Sequence, residues 1–494
     1  MEETLSRADV DIGAVTDDVH VVSNRQPYRH EYGEDGDVEV DRPTGGLTAG
    51  LDPVMQQLGG TWTAWGDGDA DFAVSDDGNA VAVPPEDPSY TLQRIPLSEE
   101  EVAGYYEGYA NQTLWPLCHS AMGNVRFDHD DWEEYRSVNR KFGAVVAAQV
   151  DDDSTVWFQD YHFGLAPRFV RGETDAVLMQ FWHIPWPSAD VFRVAPNAEE
   201  LLDGLLANDL LGFHVPRYCA NFLECAEELV DDAVVDWSED RVLYGDRATR
   251  VEAFPLNVDA DSIAEQADAA PDAGARVREE FGIDPDRPIA LGVDRLDYTK
   301  GIPERLDALE HLWETRPDLR GAFTYVQKGE ESRQGIEAYR ELQAAVEERV
   351  DRINERFGTD DWQPVVSTTE FLEPETLYGL YRDAEVALVT PVRDGMNLVA
   401  KEYVAAQDDG DAALVLSRFT GAHEELGDGA IVVNPHDTPA TADAIARAFE
   451  MDGDERSDRT LQMRQAVDDG GVTEWIDSVF ETAAAVAEER RSSA

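Results

Sequence analysis

Short apolar runs bounded by turn residues recur along the chain, at positions 20–23, 155–158, 176–182, 210–214, 289–293, 385–390, 412–416 and 430–433. Their length and their flanks predict buried strands. Between them the period changes. Ile302, Leu306, Leu309 and Trp313 recur at helical spacing behind Gly301, with Pro303 suited to a first turn. Thr438, followed by Pro439, opens another helix in the same way. Strands alternating with helices predict an α/β protein whose parallel sheets carry helices on both faces.

The pattern breaks once, across residues 251–272. Phe254-Pro-Leu-Asn-Val-Asp ends one series of apolar strands, and residues rich in Ala, Asp and Pro precede the next strand at Ile289. This divides the chain into an acidic leader (1–18), a first domain (19–255), a second domain (256–471) and a terminal helix with a charged tail (472–494).

Composition narrows the function classes. A chain of 494 residues with 42% hydrophobic side chains and 11 Trp, 16 Tyr and 18 Phe builds large cores and is not disordered. A formal net charge of −63 at pH 7 repels phosphate backbones and anionic headgroups, which argues against nucleic-acid and membrane partners. Only four lysines stand against 36 arginines, and acidic residues are spread over the whole length. The reading is a surface adapted to molar salt, where the Debye length shrinks to about 3 Å; coding bias in an ordinary acidic protein is the alternative. Cys118, Cys219 and Cys225 lack the spacing of a metal site or a disulfide framework. With no signal segment and no run of apolar residues long enough to span a bilayer, a reducing cytoplasm is expected.

Several segments carry chemistry. In Leu291-Gly-Val-Asp-Arg-Leu-Asp-Tyr-Thr-Lys-Gly-Ile-Pro-Glu-Arg a strand ends, a loop presents Arg295 and Lys300, and a helix begins. Two cations and a helix N-terminus there suit a diphosphate, although the same cations could simply pair with Asp294 or Asp297. A second strand runs into Thr390-Pro-Val-Arg-Asp-Gly-Met-Asn-Leu-Val-Ala-Lys-Glu-Tyr, with Asp394, Asn397 and Glu402 able to accept bonds from sugar or ribose hydroxyls. Near the start, Val21-Val-Ser-Asn-Arg-Gln-Pro puts Arg25 after a strand, and Gly45 and Gly46 allow backbone to approach a ligand. The stretches around Trp62-Thr-Ala-Trp-Gly and Tyr105-Tyr-Glu-Gly-Tyr-Ala-Asn-Gln-Thr-Leu-Trp are either core or a sugar-binding wall. Finally, Asp160 and His183 follow two successive strands, where open parallel sheets bind ligands.

Together these segments resemble the trehalose-6-phosphate synthase family of retaining glycosyltransferases, with the likeness running from about Val21 to about Glu450. The resemblance implies two Rossmann-like domains facing across a cleft (the GT-B type) and a last helix crossing back to the first domain. It implies Arg295 and Lys300 on the donor diphosphate, Glu402 on its ribose, and Asp394 and His183 on the transferred glucose. Backbone from Gly395 through Met396, Asn397, Leu398 and Val399 would lie near that sugar, and Gly46 near the donor phosphates. Arg25, Tyr106, Trp115 and Arg333 would surround the phosphate of glucose 6-phosphate, with Trp65 and Asp160 along its sugar. The sequence departs from the family pattern at Gln159 (for His), Phe163 (for Leu), Asn257 (for Gly), Glu331 (for Pro) and Arg418 (for a smaller residue).

The expected activity is glucosyl transfer from a nucleotide diphosphate glucose, with UDP-glucose the favoured donor though the sequence does not settle the base, to glucose 6-phosphate with retention, giving α,α-trehalose 6-phosphate, without metal or cofactor. Its partners are small molecules, and a homo-oligomer is compatible with the sequence. The alternatives are a sister synthase acting on another phosphorylated acceptor such as glycerol 3-phosphate, or a non-catalytic nucleotide-sugar sensor. The sensor reading predicts a broken donor site, whereas Arg295, Lys300, Asp394 and Glu402 are all present.

Overall fold

The computed structural model describes residues 18–42, 46–407, 410, 412–468 and 470–493. Most of the expected leader, residues 1–17, lies outside them, as do Thr44 and Gly45. Asp18 does not belong to a leader. Its carbonyl accepts the Thr155 N–H at 3.0 Å, and its carboxylate accepts from Ser154 Oγ at 2.5 Å.

The described residues up to Pro255, with those from Thr473 onward, form one compact unit, and Leu256–Val472 forms another. In the first, strands β1 (Val19–Ser23), β4 (Thr61–Trp65), β5 (Ala80–Val83), β6 (Tyr90–Ile95), β7 (Thr155–Gln159), β8 (Val177–Phe181), β9 (Leu210–Phe213), β10 (Val234–Asp236), β11 (Arg241–Tyr244) and β12 (Arg247–Ala253) make one sheet. A hairpin of β2 (Arg29–Tyr32) and β3 (Val38–Asp41) stands apart from it. The sheet order is β10-β11-β12-β9-β8-β7-β1-β4-β6-β5. Its seven central strands, β12 to β6, are parallel. Among them, every residue of β1, β7 and β9 is buried. The edges are antiparallel. There a two-residue turn suffices, and Gly245 at φ +63° opens the one joining β11 to β12.

From β1 the chain steps outward to β4 and β6, then returns to the other side of β1 as β7. The sheet therefore reverses direction between β1 and β7, the place where open α/β sheets hold ligands. The last helix, Val472–Ser493, packs within this unit. Its Trp475 ring lies 5.3 Å from Trp157 and 4.9 Å from Phe181, and Arg490 Nη1 reaches both oxygens of Asp209 at 3.1 Å.

Among its described residues the second unit has six strands: β13 (Ile289–Arg295), β14 (Thr324–Glu330), β15 (Val365–Thr368), β16 (Val386–Val389), β17 (Ala413–Ser417) and β18 (Ile431–Val433). They run parallel in the order β15-β14-β13-β16-β17-β18, so the switch lies between β13 and β16. Helices Ile302–Thr315 and Thr438–Glu450 bury Leu306, Leu309, Trp313 and Ile445 against one face. Helices Ala260–Ala269, Pro374–Asp383 and Leu398–Ala405 cover the other. Thr438 is not the cap of its helix. Asp437 is, its carboxylate accepting the Ala440 N–H at 3.2 Å.

Candidate active site

In the second unit, β13 ends on Arg295, and a short turn, Tyr298–Lys300, follows before the helix that starts at Ile302. The hinge between turn and helix is Gly301 at φ +66°, where a Cβ would lie 2.1 Å from the Thr390 carbonyl oxygen. Only glycine fits both demands. The Lys300 ammonium meets the Asp394 carboxylate at 2.5 Å, with about 13% and 14% of the two side chains exposed. Asn397 donates to the same carboxylate oxygen at 3.0 Å, and its carbonyl oxygen caps the helix Leu398–Ala405 by accepting the Ala400 N–H at 3.2 Å. Neither of the ion pairs open from the sequence, Lys300 with Asp294 or with Asp297, forms at this lysine: its partner comes from the far side of the switch.

That helix begins only at Leu398, so Asp394 stands outside it and Glu402 lies in its second turn. The first N–H groups of such a helix have no partner within it and suit an anion. Glu402 is half-buried and accepts the Tyr381 hydroxyl at 3.2 Å. Burial pushes its pKa up to about 7, against a smaller lowering by the Tyr381 bond. Lys401, within the same motif, is no ligand candidate. It is fully buried, and its ammonium ties the Leu256 carbonyl at 2.8 Å to Glu425 at 2.6 Å.

Sequence reasoning missed the residue that holds this corner together. Arg305 is fully buried and reaches Asp294 at 2.6 Å, Thr390 Oγ1 at 2.9 Å, Tyr325 and Gln327 at 3.0 Å, and the Lys300 carbonyl at 3.3 Å. It thus joins β13, β14, the turn and the segment after β16. Gly292 leaves the room: a Cβ there would lie 2.5 Å from Arg305 Nη1. The signal was available, because Arg305 shares the buried stripe of Ile302, Leu306 and Leu309, where an unpaired charge is not tolerated.

In the first unit, Arg25 follows β1 with 59% of its side chain exposed. Its guanidinium contacts the Tyr106 hydroxyl at 3.0 Å and Asp67 at 3.4 Å. Tyr106 lies in Val102–Leu114, a stretch wound as a π-helix, a form that recurs at functional sites. The rings of Tyr106 and Trp65 are 5.9 Å apart, and Trp65 borders a cavity of about 480 Å³ with Asp67, Asp69 and Glu107. Trp115 is buried at the start of the next helix, Trp115–Cys118, 5.8 Å from Tyr161 by ring centres. Arg25, Tyr106 and Trp65 therefore form one cluster, whereas Trp115 belongs to the aromatic packing behind it. Gly46 opens the helix Gly46–Leu58.

A second cluster sits beyond β7 and β8. Asp160 has φ +68° and ψ −179°, a conformation nearly confined to glycine. Its N–H donates to the Phe181 carbonyl at 2.6 Å, its carbonyl accepts from Gln180 at 3.0 Å, and its carboxylate accepts the His183 N–H at 3.1 Å. His183 Nε2 meets Gln159 Oε1 at 3.0 Å, so the departure from the family pattern at Gln159 bears directly on this imidazole. An amide oxygen there accepts the ring proton. Burial, and secondarily His214, drive the His183 pKa well below its ordinary value, so the ring is neutral at pH 7.

Arg333, in the second unit, follows β14 at φ +47° and is largely enclosed. It pairs with Asp297 at 3.4 Å and with the Tyr339 hydroxyl. Among the described residues no group of three or more His, Cys, Asp or Glu side chains could hold a metal ion, and no helix is long and apolar enough to cross a membrane.

The chain matches the family model Glycosyltransferase family 20 over residues 17–485. It is 38% identical to a trehalose-6-phosphate synthase of Mycobacterium sp. (strain KMS) over 97% of this chain and 98% of that protein. It is also 38% identical to a bifunctional trehalose-6-phosphate synthase/phosphatase of Thermoproteus tenax, over 78% of this chain but only 52% of that longer protein. Among solved structures, an α,α-trehalose-phosphate synthase (UDP-forming) of Burkholderia xenovorans in complex with glucose-6-phosphate superposes with a TM-score of 0.83 at 33% identity, covering 94% of this chain and 99% of that one. An E. coli structure, trehalose-6-phosphate bound with UDP-2-fluoro glucose, gives 0.84 at 31% identity over 94% and 98%. With the family model spanning nearly the whole chain and relatives matched end to end, this protein belongs to glycosyltransferase family 20.

Proposed function

We propose that the protein is an α,α-trehalose-phosphate synthase that transfers glucose from UDP-glucose to glucose 6-phosphate with retention. The observation that carries this reading is the Lys300–Asp394 contact at the switch between β13 and β16, beside Arg295 and the first turn of Leu398–Ala405. Arg295, Lys300 and that helix N-terminus take the diphosphate, with Gly46 near it. Glu402 accepts the ribose diol, and Asp394, His183 and backbone from Gly395 to Val399 hold the glucose. On the acceptor, Arg25, Tyr106 and Arg333 take the phosphate, with Trp115 packed behind the first two, and Trp65 and Asp160 line the sugar.

In the reaction the bond from the anomeric carbon to the diphosphate oxygen breaks, and the acceptor hydroxyl bonds to the same face. Its proton passes to the departing phosphate, whose charge the two cations stabilise. His183, neutral with its ring proton donated to Gln159, adds no charge that competes with theirs. Purified protein assayed with each nucleotide sugar against glucose 6-phosphate and glycerol 3-phosphate tests the reading. It fails if glucose 6-phosphate is not the preferred acceptor, an outcome that Glu331 beside Arg333 makes worth checking.

Glu402 makes donor binding pH-dependent. Only its ionised carboxylate accepts both ribose hydroxyls, so the donor selects the deprotonated form and affinity rises with pH through about 7. Between about pH 8 and about pH 6 the ionised fraction falls about tenfold, and the affinity for UDP-glucose is expected to fall with it. Calorimetric titration with UDP-glucose, whose diphosphate diester does not titrate in this range, checks the effect. Glu402→Gln should flatten the profile, and an equally steep profile in that variant would assign the proton elsewhere.

The acidic surface we read as salt adaptation, in a cytoplasm where the three buried cysteines stay reduced. Dilution from molar KCl restores repulsion among 103 acidic side chains, and the Tm is expected to drop. A Tm that is the same in molar KCl and in dilute buffer refutes this.

A further inference from the structure

Asp297 is fully buried at the start of the turn that carries Lys300, and its two oxygens face different ways. Oδ1 accepts the N–H and the hydroxyl of Thr299, both at 2.9 Å, and the Asp297 carbonyl accepts the Lys300 N–H at 3.0 Å. This side holds the turn. Oδ2 takes Arg333 Nη1 at 3.4 Å and the Tyr339 hydroxyl at 3.1 Å, and Tyr339 also bonds Arg333. Arg333 itself sits at φ +47°, a strained conformation for an arginine that its surroundings must impose. One carboxylate therefore fastens the lysine assigned to the donor diphosphate to the arginine assigned to the acceptor phosphate.

We propose that Asp297 is a positioning residue that couples the two substrates, so that acceptor phosphate drawn onto Arg333 stiffens the Lys300 turn and tightens the donor side. The proposal rests on the assignments of Lys300 and Arg333 above. Ordering the turn once, for the first ligand, lowers the ordering cost left for the second, and the coupling is reciprocal.

The test is calorimetric titration of UDP with and without saturating glucose 6-phosphate. In the wild type the acceptor is expected to tighten UDP about tenfold, within the usual range of such couplings. Asp297→Asn keeps an oxygen for Thr299 and loses the charge towards Arg333. It should leave UDP alone bound within about threefold of wild type while the acceptor effect falls below about twofold. Tyr339→Phe, which keeps the charge and removes the shared hydroxyl, should lower the coupling partly, and it carries the test if Asp297→Asn lacks native circular dichroism. A wild type without coupling, or wild-type coupling in the variants, overturns the proposal. So does loss of UDP affinity in Asp297→Asn with no change in the ratio, since that is the mark of a structural residue. Arg333→Ala separates the premise: unchanged glucose 6-phosphate affinity there defeats the acceptor assignment itself, whereas weakened affinity beside intact coupling in Asp297→Asn defeats only the coupling.

Discussion

Lys300→Ala is expected to lower kcat by about 10² to 10³, the loss seen when one preorganised donor is removed from the place where charge develops. Lys300 stands on a turn fixed by Gly301 on one side and Asp297 on the other, and its ammonium is already committed to Asp394 at 2.5 Å. Nothing needs to reorganise when the diphosphate departs, which is why the effect should fall on turnover more than on donor binding. The fold should persist, since Arg305 and not Lys300 joins the strands around this corner. Activity and circular dichroism, both measured in the same molar KCl, check the two halves of the expectation. Because cations occupy the position, EDTA should leave wild-type turnover intact, and proton NMR of fresh product should show an α linkage at the donor-derived sugar. Loss with EDTA that Mg²⁺ restores, or a β linkage, would sink the mechanism.

Arg25→Ala is expected to weaken glucose 6-phosphate by about 30-fold or more, which is about 2 kcal/mol for a charge-assisted contact. Arg25 is the cleaner of the two phosphate arginines to remove. Its side chain is 59% exposed and its neighbours Asp67 and Tyr106 keep other support, Asp67 through Gln26 at 2.7 Å. Arg333→Ala would in addition leave the buried Asp297 without its cation, a costly defect in its own right, so part of its effect should appear as lost stability. In Arg25→Ala the Kd for UDP-glucose measured without acceptor should stay within about twofold of wild type, since Arg25 is assigned to the acceptor alone. Lost donor affinity with acceptor affinity intact would reverse the division of roles.

The sequence by itself determined the class of fold and the residues with chemistry in them. Buried parallel strands are continuous apolar runs, so 155–158, 210–214 and 289–293 announced themselves without any knowledge of their neighbours. The motif from Leu291 to Arg305 likewise named its own cations, because a strand, a loop and a helix start are local events. What sequence distance hides, only the tertiary structure decided. The partner of Lys300 lies 94 residues away, at Asp394, and not among the aspartates beside it, because the switch between β13 and β16 brings two separate strand ends together. Asp297 looks like an ordinary surface charge in a chain with 103 acidic residues, and burial alone reveals it as an anchor; Arg305 stands in an apolar stripe, but only the folded chain shows its partners. Strands β6, β12 and β14 escaped notice because polar residues interrupt their apolar runs. Local patterns record what a residue can do. Which other residue it does it with depends on contacts that the folded chain makes across tens of residues, and those are set by the packing of whole sheets and helices.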